Sequence, residues 1–193
     1  MALAKSRSSH SSAAGFSLIE VLVATLLLAT SLVTLAQLFA LSTKSNMGAK
    51  NTTFTAVLAQ QKLEELRSLT WGFDTQGLPI SDVSTDTAVS PEAANGGTGL
   101  SPSPAGSLGA NTNGYVDYID QFGSKLGGGS NPPAGTVYVR RWSVEALPSN
   151  PNNTLILQVL VFRNRDRGAA DDGAGKVLPE EARLVTVKTR KSQ

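Results

Sequence analysis

Few residues in this chain of 193 could make or break bonds on their own. Cysteine is absent, and the single histidine, His10, falls within the first fifteen residues. Without that N-terminal stretch the chain holds neither imidazole nor thiol. It could then build no Ser-His-Asp or Cys-His nucleophile, no disulfide, and no zinc site that needs thiolate or imidazole. Catalysis would have to rest on carboxylates such as Asp117 and Asp120, which nothing in the sequence pairs. Asp166, Asp171 and Asp172 in RNRDRGAADDGAG could offer oxygens to calcium. Their spacing is not that of an EF-hand, and Arg163, Arg165 and Arg167 crowd the same stretch, so residues 163–176 read first as a solvated charged loop. No cofactor or metal is expected, and the chain does not read as an enzyme. The carboxylate that stands out is Glu20, the one charge in the apolar run from Phe16 to Leu41.

The element that must position Glu20 is a helix. After it, Val21 to Thr43 gives 23 consecutive uncharged residues with no proline. At about 1.5 Å per residue such a helix spans roughly 35 Å, enough for a hydrocarbon core of about 30 Å. Ahead of it, MALAKSRSSHSSAAG is short, basic and rich in Ser and Ala. Lys5 and Arg7 predict a cytoplasmic N-terminus and an exported C-terminal part. A secretory signal would have an apolar run of about 7–15 residues and a small-residue cleavage site beyond it. Here the run is longer and the small residues, Ala13-Ala14-Gly15, precede it. A plain signal anchor remains open on periodicity alone. It leaves Glu20 unexplained, because a carboxylate at the start of an apolar span is costly and wants a cationic partner.

Gly15-Phe16-Ser17-Leu18-Ile19-Glu20, leading into Val21-Leu22-Val23-Ala24, resembles the processing site of type IV prepilins and type II secretion pseudopilins. The resemblance implies cleavage between Gly15 and Phe16 by a prepilin peptidase on the cytoplasmic face and N-methylation of Phe16. It also implies that Glu20 pairs with the Phe16 amine of a neighbouring subunit in a fibre. Such a buried pair is costly to leave half made and so would select one axial register. Residues 1–15 would then be a leader peptide, and the apolar helix would be kept.

The helix should continue beyond the span, over residues 16–69 in all, with 16–43 apolar and 44–69 amphipathic. In TFTAVLAQQKLEELRSL the residues Phe54, Leu58, Ala59, Leu63, Leu66 and Leu69 share one half of a helical wheel, although Lys62 and Glu65 intrude on it. Gly48 is a place where the helix could loosen. Residues 70–135 hold most of the glycine, 11 of 18 between Asn95 and Gly135, and read as mobile loops around one possible strand, Tyr115–Phe122. Residues 136–193 read as an antiparallel sheet. Thr136–Leu147 and Leu155–Phe162 form a hairpin across Asn150-Pro151-Asn152-Asn153, and Arg183–Thr189 adds Val185 and Val187 on one face. The expected fold is α+β, with one long N-terminal helix packed against three to four antiparallel strands.

Two further stretches narrow the resemblance. Ala59-Gln60-Gln61-Lys62-Leu63-Glu64-Glu65-Leu66-Arg67 and Val139-Arg140-Arg141-Trp142-Ser143-Val144 are similar to PilV-like minor pilins and the I-type minor pseudopilin. The chain departs from major pilins in lacking a cysteine pair and in having Gln37 where many have a kinking proline. The resemblance therefore implies a low-copy structural subunit of a type IV pilus or, in the alternative, of a type II secretion pseudopilus. Its partners would be the prepilin peptidase, other pilin or pseudopilin subunits, an inner-membrane assembly platform, and lipid before assembly. Its location would be the bacterial inner membrane and then the fibre. A signal-anchored periplasmic binding domain or enzyme is the rival from another class. Nucleic acid is not an expected partner: Lys5 and Arg7 precede Gly15 and no acid does, so from Phe16 onward 15 bases face 15 acids. Trp71 and Trp142 read as core residues.

Overall fold

One helix and seven strands make up the regular structure among the residues described in this computed structural model, 15–166, 178 and 180–191. The helix, α1, runs from Leu18 to Ser68. Two short strands follow, β1 (Trp71–Phe73) and β2 (Pro79–Ser81), paired antiparallel as a separate hairpin. The strands β3 (Val116–Ile119), β4 (Lys125–Gly128), β5 (Tyr138–Ala146), β6 (Thr154–Arg163) and β7 (Ala182–Thr189) form one antiparallel sheet in the order β4-β3-β5-β6-β7. The chain divides into two compact units, Met1–Ser45 and Asn46–Gln193.

In the second unit the predicted stripe of α1 is the buried one. Leu58, Ala59, Leu63 and Leu66 are buried and meet Ile119, Trp142, Val144, Leu155, Leu157, Val159 and Val161 from the sheet. Each fully buried Leu or Val contributes about 1.5–3 kcal/mol relative to exposure, so this layer is the main apolar term holding helix to sheet. The period of two then decides the rest. Val116, Tyr118, Val139, Leu160 and Phe162 point to the opposite face, where Leu108 and Leu178 pack over them. The β5–β6 hairpin forms as the sequence predicts, with Leu147 N–H donating to Thr154 O at 2.9 Å across the Asn-Pro-Asn-Asn turn.

Three expectations change in detail. The sheet has five strands rather than three or four, because residues 115–128 fold as a hairpin of β3 and β4 and join its edge. The β4 segment KLGG has almost no strand propensity of its own and was expected to be loop. Its glycines are what admit it: a Cβ at Gly128 would sit 2.9 Å from Val116 O. The loop region is also tied down by defined hydrogen bonds. Thr98 Oγ1 donates to Gly114 O at 2.7 Å, the Tyr115 hydroxyl donates to Ser101 O at 3.0 Å, and Ser103 N–H donates to Val144 O at 2.9 Å. Finally, α1 passes through Gly48 without a break, and a Cβ there would meet only Glu180 Oε1 at 3.9 Å. Glu180 also accepts a hydrogen bond from Asn51 Nδ2, one turn further along the same face, at 2.9 Å.

Candidate functional site

Gly15, Phe16 and Ser17 lie ahead of the helix, and Phe16 is 82% exposed. The helix opens on the Ser17 carbonyl, which accepts from Glu20 N–H at 3.0 Å and Val21 N–H at 3.2 Å. Ser17 is thus the cap residue and Glu20 stands in the first turn, where a carboxylate faces the positive end of the helix dipole. The peptide bond between Gly15 and Phe16 is outside the hydrogen-bonded helix and open to another molecule. Glu20 makes no side-chain hydrogen bond or ion pair among the described residues, so its carboxylate is free to meet an external cation. Residues 1–14, the expected leader, lie outside the described residues, and so do the calcium candidates Asp171 and Asp172.

From Leu18 to Met47 every residue is exposed, and the run includes Leu22, Leu26, Leu27, Leu28, Leu32, Val33, Leu38 and Phe39. By length and composition this helix can cross a membrane. Its hydroxyls fit such a setting. Thr25 Oγ1 donates to Leu22 O at 2.9 Å, Ser31 Oγ to Leu27 O at 2.7 Å, and Thr34 Oγ1 to Thr30 O at 2.9 Å. Each of these hydroxyls is therefore satisfied within the helix, as an apolar solvent requires.

The second unit holds a different polar centre, where α1 meets β3, β4 and β5. Lys62 and Glu65, the two intruders on the apolar stripe, are its helix members. Lys62, Asp117 and Arg140 are completely buried. Arg140 donates to Asp117 through Nε at 2.9 Å and Nη2 at 2.8 Å, a bidentate pair, and its Nη1 donates to Leu58 O at 2.9 Å. Lys62 Nζ donates to Asp117 Oδ2 at 3.0 Å, to Thr87 O at 2.7 Å and to Thr87 Oγ1 at 2.8 Å, and lies 3.8 Å from the Trp142 ring centre. Lys125 Nζ pairs with Glu65 Oε1 at 2.9 Å and donates to Thr87 O at 2.9 Å.

Three cations therefore face two acids. Burial alone would push the Asp117 carboxyl up, but Lys62 and Arg140 overcome it and hold its pKa below the ordinary carboxylate range. Lys62 ends on the other side of the balance. Burial lowers its pKa to about 8; Asp117 and Glu65 oppose that, and Arg140 and Lys125 reinforce it. The arrangement fixes the helix to three strands and leaves no carboxylate open to a substrate. Asp120, the other carboxylate singled out by sequence, sits in the β3–β4 turn and accepts from Phe122 N–H and Ser124 N–H at 2.8 Å each. No cluster of three or more metal-ligating side chains occurs among the described residues.

Sequence reading passed over Thr87, Lys125 and Arg140 as members of this centre. A signal was present: Lys62, Asp117 and Arg140 each interrupt an otherwise apolar face, and buried charges occur in sets. Trp142 is core, as expected, whereas Trp71 is half-buried beneath the Arg190 guanidinium, 3.6 Å from its ring centre. Arg141 faces the other side of the sheet and donates to Asn111 Oδ1 at 2.9 Å.

Comparison with known proteins returned no matching family model, curated protein or solved structure.

Proposed function

We propose that this chain is a structural subunit of the minor-pilin type. It would be cleaved after Gly15, N-methylated at Phe16 and carried through its apolar helix from the membrane into a type IV pilus. The observation that supports this reading most is the helix start. A carboxylate without a partner among the described residues, Glu20, stands in the first turn of a helix that is largely apolar and exposed all round from Leu18 to Met47, directly after an exposed Gly15-Phe16 bond. Before assembly, lipid covers that surface; afterwards, the same surface on neighbouring subunits does. A freed Phe16 amine supplies the cation that Glu20 lacks. The sheet unit is then the exported part, and its buried charges serve to hold it together.

The test is to determine the N-terminus by mass spectrometry after expression with and without a prepilin peptidase. A chain starting at N-methylated Phe16 only when the peptidase is present is the expected result. A Met1 or Ala2 start in both samples would overturn the reading and leave a plain anchor. Glu20→Ala separates processing from assembly: cleavage persists while incorporation into fibres falls to background. Incorporation at the level of the unsubstituted chain would remove Glu20 from the proposed role.

A further inference from the structure

β7 is the last strand of the sheet, and its outer edge is open. It pairs with β6 alone, without a register shift from Thr154↔Thr189 to Val161↔Ala182. Arg190 N–H donates inward to Asn153 O at 2.8 Å. By alternation, Arg183, Val185, Val187 and Thr189 turn their N–H and C=O groups outward. No partner meets those groups among the described residues. One residue further on, the same edge has already taken a neighbour: Lys191 N–H donates to Trp71 O at 3.3 Å, and Gly72 forms a parallel bridge with Lys191. Beside the edge runs a groove of about 780 Å³, lined in part by Glu64, Arg67, Trp71, Lys188 and Lys191.

Natural sheets usually blunt such an edge with proline, a bulge or a covering loop. Among the described residues the protection here is charge alone. The run from Ala182 to Lys191 contains Arg183, Lys188, Arg190 and Lys191 and no acid. A second copy laid on this edge would bring the same four cations and no acid beside them, so self-pairing is disfavoured. An acidic strand would be attracted instead. The two sides of the edge differ as well. On one, Val185 and Val187 are 58% and 55% exposed, with Ile156 beside Val187 across the ladder. On the other, Lys188 holds the helix-end carbonyls of Arg67 and Leu69, and Arg67 and Lys191 stand nearby.

We infer that the outer edge of β7 is a strand-addition site for an extended segment of another protein, with apolar residues facing Val185 and Val187 and carboxylates alternating on the Arg67, Lys188 and Lys191 side. Main-chain bonds would supply the attachment and the alternation its specificity. The inference does not rest on the filament reading, since it needs neither cleavage nor a fibre.

The experiment uses the full chain in detergent micelles and a fluorescent, end-blocked heptapeptide, Glu-Val-Glu-Val-Glu-Val-Glu, followed by anisotropy. Saturable binding is expected. Replacing every Glu by Lys, or methylating alternate backbone nitrogens so that they cannot donate, should weaken binding at least about tenfold, a loss of 1.4 kcal/mol or more. Val187→Pro should do the same, because its lost N–H points outward and the β6 ladder is untouched. If that variant does not fold, the methylated peptide decides alone. Absence of binding, or equal binding by the lysine or methylated peptides, overturns the inference. So does self-association of the unmixed chain that Val187→Pro abolishes, which would make a second copy the occupant.

Discussion

α1 contains two stretches that obey opposite rules. From Leu18 to Thr43 it is almost wholly apolar, no side chain is buried, and its single charge, Glu20, has no partner among the described residues. From Thr55 to Ser68 it is rich in charge, yet Lys62 is as deeply buried as any leucine and is hydrogen-bonded to Thr87 and Asp117. The first stretch exposes what water disfavours, and the second buries what oil disfavours. Each makes sense only through what completes it. For the second stretch the completing groups come from the same chain, namely Asp117, Arg140, Lys125 and Thr87. For the first, no described residue of the chain supplies them; on the proposed reading they come from lipid or other subunits. Secondary structure is identical in the two, so it carries none of this information.

The comparison is broken most sharply by removing the acid at the centre of the second stretch. Asp117→Ala would leave Lys62 and Arg140 buried with Glu65 as their remaining acid, and Glu65 Oε2 is 3.5 Å from the one and 4.0 Å from the other. Uncompensated buried charge of this kind costs about 3–5 kcal/mol, so the thermal midpoint of the sheet unit should fall by on the order of 10 °C. Glu20→Ala should leave that midpoint unchanged while, on the proposed reading, ending assembly. Equal melting of the Asp117→Ala and unsubstituted chains would show that the buried set is not what holds helix to sheet.

Most of the architecture could be read from periodicity. The stripe Leu58, Ala59, Leu63, Leu66, the central strand Leu155–Phe162 with both faces apolar, and the Asn150–Asn153 turn all appear where the sequence predicts. β4 escaped because its place in the sheet is granted by backbone approach at Gly128 and not by side chains. The buried charges escaped for a related reason. Lys62 and Glu65 looked like flaws in a stripe, since their partners lie on β3, β4 and β5, tens of residues away in sequence. The Gly15–Glu20 segment is the reverse case. It is local and legible in one dimension, and its structure adds chiefly that Gly15 and Phe16 are exposed and that the carboxylate has no partner among the described residues.

Lys62→Met sharpens the comparison by making the second stretch resemble the first. Methionine keeps the volume of the lysine stem, and Asp117 keeps its bidentate pair with Arg140. Thr87 O keeps the Lys125 donor at 2.9 Å, so the losses are the ion pairs to Asp117 and Glu65, the contact with the Trp142 ring and the donor to Thr87 Oγ1. A cost of about 1–3 kcal/mol is expected, well below that of Asp117→Ala. Denaturant unfolding of both variants gives the order directly. The reverse order would mean that Lys62, and not Asp117, anchors the set.

The smallest expected effect is a shift of stability with pH, and its sign is informative. Asp117 has its pKa held low in the folded chain, so its contribution is present above the ordinary carboxylate range and fades as pH falls through the folded value. Lys62 behaves in the opposite region. Its pKa falls from 10.5 to about 8 on folding, chiefly through burial. Between those values the unfolded chain holds a proton that the folded chain has released, and stability therefore rises with pH, by about 2 kcal/mol between neutrality and pH 9.5. Lys188, also lowered to about 8, adds in the same direction, but it is half-exposed and solvent reduces its share. Above 10 the trend reverses, because burial raises the Tyr115 and Tyr118 hydroxyls and the folded chain keeps their protons longer. Urea unfolding of the full chain from pH 7 to 9.5 should thus show a gain that Lys62→Met mostly removes. A gain of equal size in both proteins would move its origin to Lys188, and the buried ammonium would then be no burden on the fold.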